Sequence, residues 1–132
     1  MKRLSMVAAA LALTFGMQAQ AQNPVEFWGC KFANGYDMSD LMAHTEEFSK
    51  IVDSLPDRQY SAWVMTPFFS NNMSAVDFWW VGAWDSNTNM GAGFDEFFAS
   101  DKGAAWFAKY QEMSDCEVHT LMTSTSVHMA SQ

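Results

Sequence analysis

Apolar positions fall along the chain in short runs separated by polar breaks. Val25 to Phe32 is short, apolar and aromatic, which predicts a strand, and Asn34-Gly35 follows as a turn signal. Asp37 then stands at an N-cap position with Asp40 three residues on, near the positive end of the helix dipole. Leu41, His44, Phe48, Ile51 or Val52, and Leu55 recur at spacings of three and four. That spacing predicts one face of an amphipathic helix ending before Pro56. Tyr60 to Phe69 and Asp77 to Trp84 are two further strand-like runs, joined by a polar hairpin loop, Ser70 to Ser74. Asn87 or Thr88 caps a second helical region through Ala99, and Ser100-Asp101 starts it afresh, so this helix comes in two pieces. Glu117 to Thr125 is the last strand candidate.

The order is strand, helix, strand, strand, helix, strand. It predicts an α+β domain of ferredoxin-like βαββαβ plan with a four-stranded antiparallel sheet. The last strand of that plan lies antiparallel beside the first.

The N-terminus adds a cellular address. Lys2 and Arg3, an apolar stretch from Leu4 to Gly16, and Ala19-Gln20-Ala21 together read as a secretory signal peptide over 1–21. Residues 22–132 then form a single domain that is secreted or periplasmic. Losing Lys2 and Arg3 takes the formal net charge from −8 to −10. A surface so acidic repels phosphate backbones and anionic headgroups, which excludes nucleic acid and, after cleavage, the membrane as partners. Both cysteines, Cys30 and Cys116, stay in the exported part, where an even count favours a disulfide. The predicted topology brings the end of the first strand to the start of the last, where these two residues lie.

Alternation sorts each strand into two faces. Phe78, Trp80, Gly82 and Trp84 oppose Trp79, Val81 and Ala83; Tyr60, Ala62, Val64 and Phe68 oppose Trp63, Met65 and Phe69. Neither side is polar, and two helices cover only one. Another copy of the protein, a ligand, or both must lie against the other.

On this element order the chain resembles the dimeric α+β barrel superfamily, in which two ferredoxin-like subunits pack sheet against sheet. The segments Tyr60 to Phe69, Phe78 to Trp84 and Met90 to Phe94 are also similar to small exported bacterial proteins of no assigned activity. The resemblance implies a homodimer and a pocket between sheet and helices. It also implies a range of activities, from cofactor-free monooxygenases and haem-handling enzymes to pure binding proteins.

Candidate chemistry is sparse. Counting register outward from a Cys30–Cys116 pair sets Phe27 opposite His119 and Gly29 opposite Glu117. His119 and Glu117 then project together, as a base beside a carboxylate or as a hold on a ligand. The ordinary alternative is a satisfied sheet histidine. His44 falls on the apolar seam of the first helix, where it lines a cavity, ligates haem axially, or is simply hydrogen-bonded and half-buried. Asp37, Asp40 and His44 share a face but make weak metal evidence, so no metal is expected. Beyond the haem alternative, no cofactor is called for. Gly91-Ala92-Gly93 lacks the rest of a phosphate loop, and the scattered methionines suit core filling better than copper. The aromatic set carries more weight. Trp63, Trp80, Trp84, Phe94 and Phe98, with polar groups such as His119, Asn87 or Tyr36 to orient a ligand, suit a pocket for a small apolar or planar molecule. The leading expectation is a small-molecule-binding protein. The alternatives are a monooxygenase-like or haem-handling enzyme using His119, His44 or Glu117, and a protein–protein interaction module.

Overall fold

The structure, a computed structural model, describes residues 23–56 and 59–128. The leader expected over 1–21 lies outside the described residues. Chain order is β1 (Asn23–Phe32), α1 (Met38–Ser54), β2 (Tyr60–Met65), β3 (Phe78–Trp84), α2 (Asn87–Ala99), α3 (Asp101–Met113) and β4 (Ser114–Ser124). The strands form one antiparallel sheet in the order β2-β3-β1-β4, the ferredoxin-like arrangement.

Local chemistry accounts for the boundaries. Asn34 and Gly35 both take positive φ, 53° and 81°, to turn the chain out of β1. Asp37 caps α1 through a full capping box: its side chain accepts from the Ser39 and Asp40 backbone N–H groups, and Asp40 accepts from the Asp37 N–H. Ser86, not Asn87 or Thr88, caps α2, its hydroxyl accepting from the Asn89 N–H at 3.1 Å. Ser100 ends α2 and caps α3, so the two-piece helix is as the sequence predicts.

Two strand limits differ from expectation by three residues or more. β2 stops at Met65, because Pro67 has no N–H to continue a ladder. Phe68 and Phe69 therefore stand in a loop, 97% and 94% exposed, and belong to neither sheet face. β4 begins at Ser114, three residues before the expected Glu117.

The helices cover one face. Leu41 and Ile51 from α1, Phe97 from α2, and Trp106, Tyr110 and Met113 from α3 bury against Cys30, Phe78 and Trp80. Cys30 and Cys116 form a disulfide and are paired in register. The Tyr110 hydroxyl lies 3.3 Å from the Cys30 sulfur and, since a disulfide carries no S–H, is the donor there. The other face holds Phe27, Trp63, Met65, Trp79, Val118 and Met122 by alternation and register. Trp63 and Met65 are each 49% exposed and Met122 51%. Among the described residues no helix packs over this apolar face.

Candidate ligand cavity

Between the sheet and the helices lies a half-open cavity of about 80 Å³. The strands contribute Glu26, Trp28, Tyr60, Trp80 and Trp84 to its wall; α1 contributes Phe48, α2 Phe94, Phe97 and Phe98, and α3 Trp106, Phe107 and Tyr110. The rings hold one another in place. Phe48 lies 5.0 Å from Trp80 and 4.8 Å from Trp106, and Phe94 lies 5.0 Å from Trp84, centroid to centroid. Gly93 leaves room beside the Trp84 indole, and Gly91 has nothing near it, so only one glycine of the pair serves close approach.

One carboxyl interrupts this apolar wall. Glu26 is 8% exposed. Its Oε1 accepts from the Tyr60 hydroxyl at 2.8 Å and its Oε2 from the Trp28 indole N–H at 2.9 Å. The Tyr60 oxygen in turn accepts from the Trp80 indole N–H at 2.8 Å. Burial pushes the Glu26 carboxyl above the usual carboxylate range, opposed by the hydrogen bonds from Tyr60 and Trp28 and by the nearby His119. Burial, then the charge of Glu26, raises the Tyr60 phenol well above its ordinary value.

Gly82 makes this network possible. It sits between Glu26 and Ala62 in the sheet register, and a Cβ there would overlap both the Tyr60 hydroxyl and the Glu26 carboxylate. Alanine for glycine inside a strand ordinarily helps by about 0.5–1 kcal/mol. Gly82→Ala is expected to do the reverse and cost about 1–3 kcal/mol, as an overpacked site does, read by urea denaturation.

The sequence-expected residues divide. Trp80, Trp84, Phe94 and Phe98 line the cavity. Trp63 does not; it lies in the wall of a second, more polar hollow between α1 and β2, beside Met42 and Ser49. His119 is exposed and outside the lining, with its ring 4.0 Å from that of Trp28. The register counted from the cysteines is corrected by a bulge between Gly29 and Cys30. Trp28, not Phe27, faces His119, and Val118, not Glu117, faces Gly29. Glu117 is the extra, unpaired residue of that bulge, so the regular alternation that set it beside His119 does not hold. His44 stacks on Trp106 at 4.6 Å, its Nε2 lies 3.0 Å from the Trp106 carbonyl oxygen, and the Trp106 indole N–H donates to the His44 carbonyl at 2.9 Å. Its ring is thus engaged away from the cavity. Tyr36 donates to Glu112 at 2.8 Å and accepts from Lys109, outside the cavity, and Asn87 is exposed at the start of α2. Among the described residues, no three His, Cys, Asp or Glu side chains gather as metal ligands.

Sequence reasoning missed Glu26 and Tyr60 as polar groups of the site. The signal for Glu26 was a lone carboxylate in an apolar strand, two residues from Trp28 and four from Cys30, hence on their face.

No protein-family model matches the chain, and no curated protein sequence matches it. Solved structures match it by shape. A dimeric ferredoxin-like protein from Thermobifida fusca has a TM-score of 0.50 at 14% identity, over 81% of this chain and 93% of that one. The hydroxynitrile lyase of Passiflora edulis gives 0.54 at 9% identity, over 85% and 99%. SnoaB, a cofactor-independent oxygenase from Streptomyces nogalater, gives 0.50 at 10% identity, over 86% and 100%. At such identities the likeness speaks for the fold alone. Strand order, helix placement and these matches agree that the chain has the ferredoxin-like α+β fold.

Proposed function

We propose that this is an exported protein that binds a small apolar or planar molecule in the cavity between sheet and helices, and that it acts as a homodimer. The observation that carries the binding reading is an aromatic-walled cavity with a hydrogen-bonded carboxyl in its wall. Ligand sites have this composition, mostly apolar with a few fixed polar groups. The disulfide supports export, since such bridges persist in oxidising compartments. The apolar face over which no described helix packs supports a second copy as its partner. A sheet that is apolar on both sides buries the second against a like sheet, and the solved structures of this shape include dimeric ferredoxin-like proteins.

The cavity reading is tested by titrating the protein with benzyl alcohol while following tryptophan emission and the melting temperature. Trp28, Trp80, Trp84 and Trp106 line the site, so saturable quenching is expected, with a rise in melting temperature that grows with ligand concentration. Emission and melting temperature that stay flat, for benzyl alcohol and for benzylamine alike, would overturn it.

A further inference from the structure

We propose that the cavity takes a small organic cation, an amine or ammonium group on an apolar body, with Glu26 as its counter-ion and the surrounding rings as its walls. This rests on the reading of the cavity as a ligand site and names the class of ligand.

Two features of the site point the same way. First, the donors around Glu26 suit its ionised form. Each carboxylate oxygen accepts one hydrogen bond from the protein, from Tyr60 and from Trp28, and each keeps a lone pair to spare. Both donors are neutral. A buried carboxylate stays ionised when a positive charge joins its hydrogen bonds to offset desolvation and otherwise tends to take up a proton, and the cavity lining holds no Lys, Arg or His among the described residues. Among the described residues, the one cationic-type side chain acting on Glu26 is His119, which is exposed and stands across the Trp28 ring. Tyr60 and Tyr110, the other titratable groups near it, bring only neutral phenols. Among the described residues no cationic side chain stands in the cavity to supply the countercharge, and a ligand can bring it.

Second, the remaining wall attracts cations. Trp28, Trp80, Trp84, Phe94 and Phe107 line the same cavity as Glu26, and a desolvated ammonium over the face of such a ring gains from its quadrupole. A purely apolar ligand would use the rings and leave Glu26 without a charge partner. An anionic ligand would meet the carboxylate directly. The acidic surface, −8 over the full chain, favours cation approach from solution.

The test compares benzylamine with benzyl alcohol at pH 7, two probes of similar size that differ in charge, on the disulfide-intact protein by tryptophan quenching and calorimetry. Benzylamine is expected to bind at least about tenfold more tightly, and Glu26→Gln is expected to bring the ratio of the two affinities down to about one. Equal or tighter binding of benzyl alcohol by the unaltered protein would overturn the cation proposal while leaving the cavity a ligand site. The same holds if a folded Glu26→Gln protein keeps the preference. If neither probe binds, the reading of the cavity itself falls, and this proposal with it. The comparison within the unaltered protein decides the matter even where Glu26→Gln does not fold.

Discussion

Phe27→Lys is expected to give a folded single chain in place of the dimer proposed for the unaltered protein. Phe27 lies in β1, one of the two central strands, and register sets it opposite Val81 of β3 and Thr120 of β4, on the face away from the helices. In one chain it is only half-buried, so a lysine can lift its ammonium into water along that face and the fold survives. Between two sheets the same ammonium would be buried without a partner, and a ring on a central strand of that face would be lost from the proposed interface. Both effects weaken association, together by about a hundredfold or more in Kd. Sedimentation velocity reads the assembly and far-ultraviolet circular dichroism the fold. A dimer of unchanged affinity would show that the two sheets do not meet through this face.

Replacing both cysteines by alanine is expected to lower the unfolding free energy by about 4 kcal/mol, roughly 15 °C in melting temperature for a domain of this size. The bridge joins residues 86 apart in sequence, so its loss frees a long loop in the unfolded chain. Cys30 is also fully buried, among Phe78, Tyr110 and Trp80, so alanine there removes a sulfur from the packed core as well. Thermal unfolding of the double variant against the oxidised protein checks the figure. A change within about 1 kcal/mol, on the order of an average point substitution, would mean that the bridge contributes little.

What the chain discloses in advance depends on which physical rule governs each place. α1 is legible because capping and three-four spacing are local: Asp37, Asp40, Leu41 and Ile51 do in the structure what their positions predict. The strand order is legible because the cysteines lie where a ferredoxin-like plan brings β1 and β4 together. Phe68 and Phe69 mislead because an apolar pair prolongs the alternation of β2, while the break comes from the proline before them. The bulge at Gly29 and Cys30 is invisible to counting, which assumes that strands pair one to one, and a single extra residue moves His119 from Phe27 to Trp28. Trp80, Trp84, Phe94 and Phe98 could be placed near a pocket because the strand faces and the helix containing the two phenylalanines were readable. Trp63 could not be separated from them, since on a sheet apolar on both sides hydrophobicity does not say which face meets the helices. Glu26 is the instructive omission. A carboxylate within a strand looks like a solvent position, and what makes it an internal one is long-range: Tyr60 from β2 reaching over Gly82 of β3 to hydrogen-bond it.

The measurement that bears most directly on the account is native mass spectrometry of the protein purified from its own host with its disulfide intact. The account predicts a species of two chains that carries a small organic molecule, released on collisional activation and absent under denaturing conditions. A single chain at its bare polypeptide mass, with no adduct at any activation energy, would contradict it.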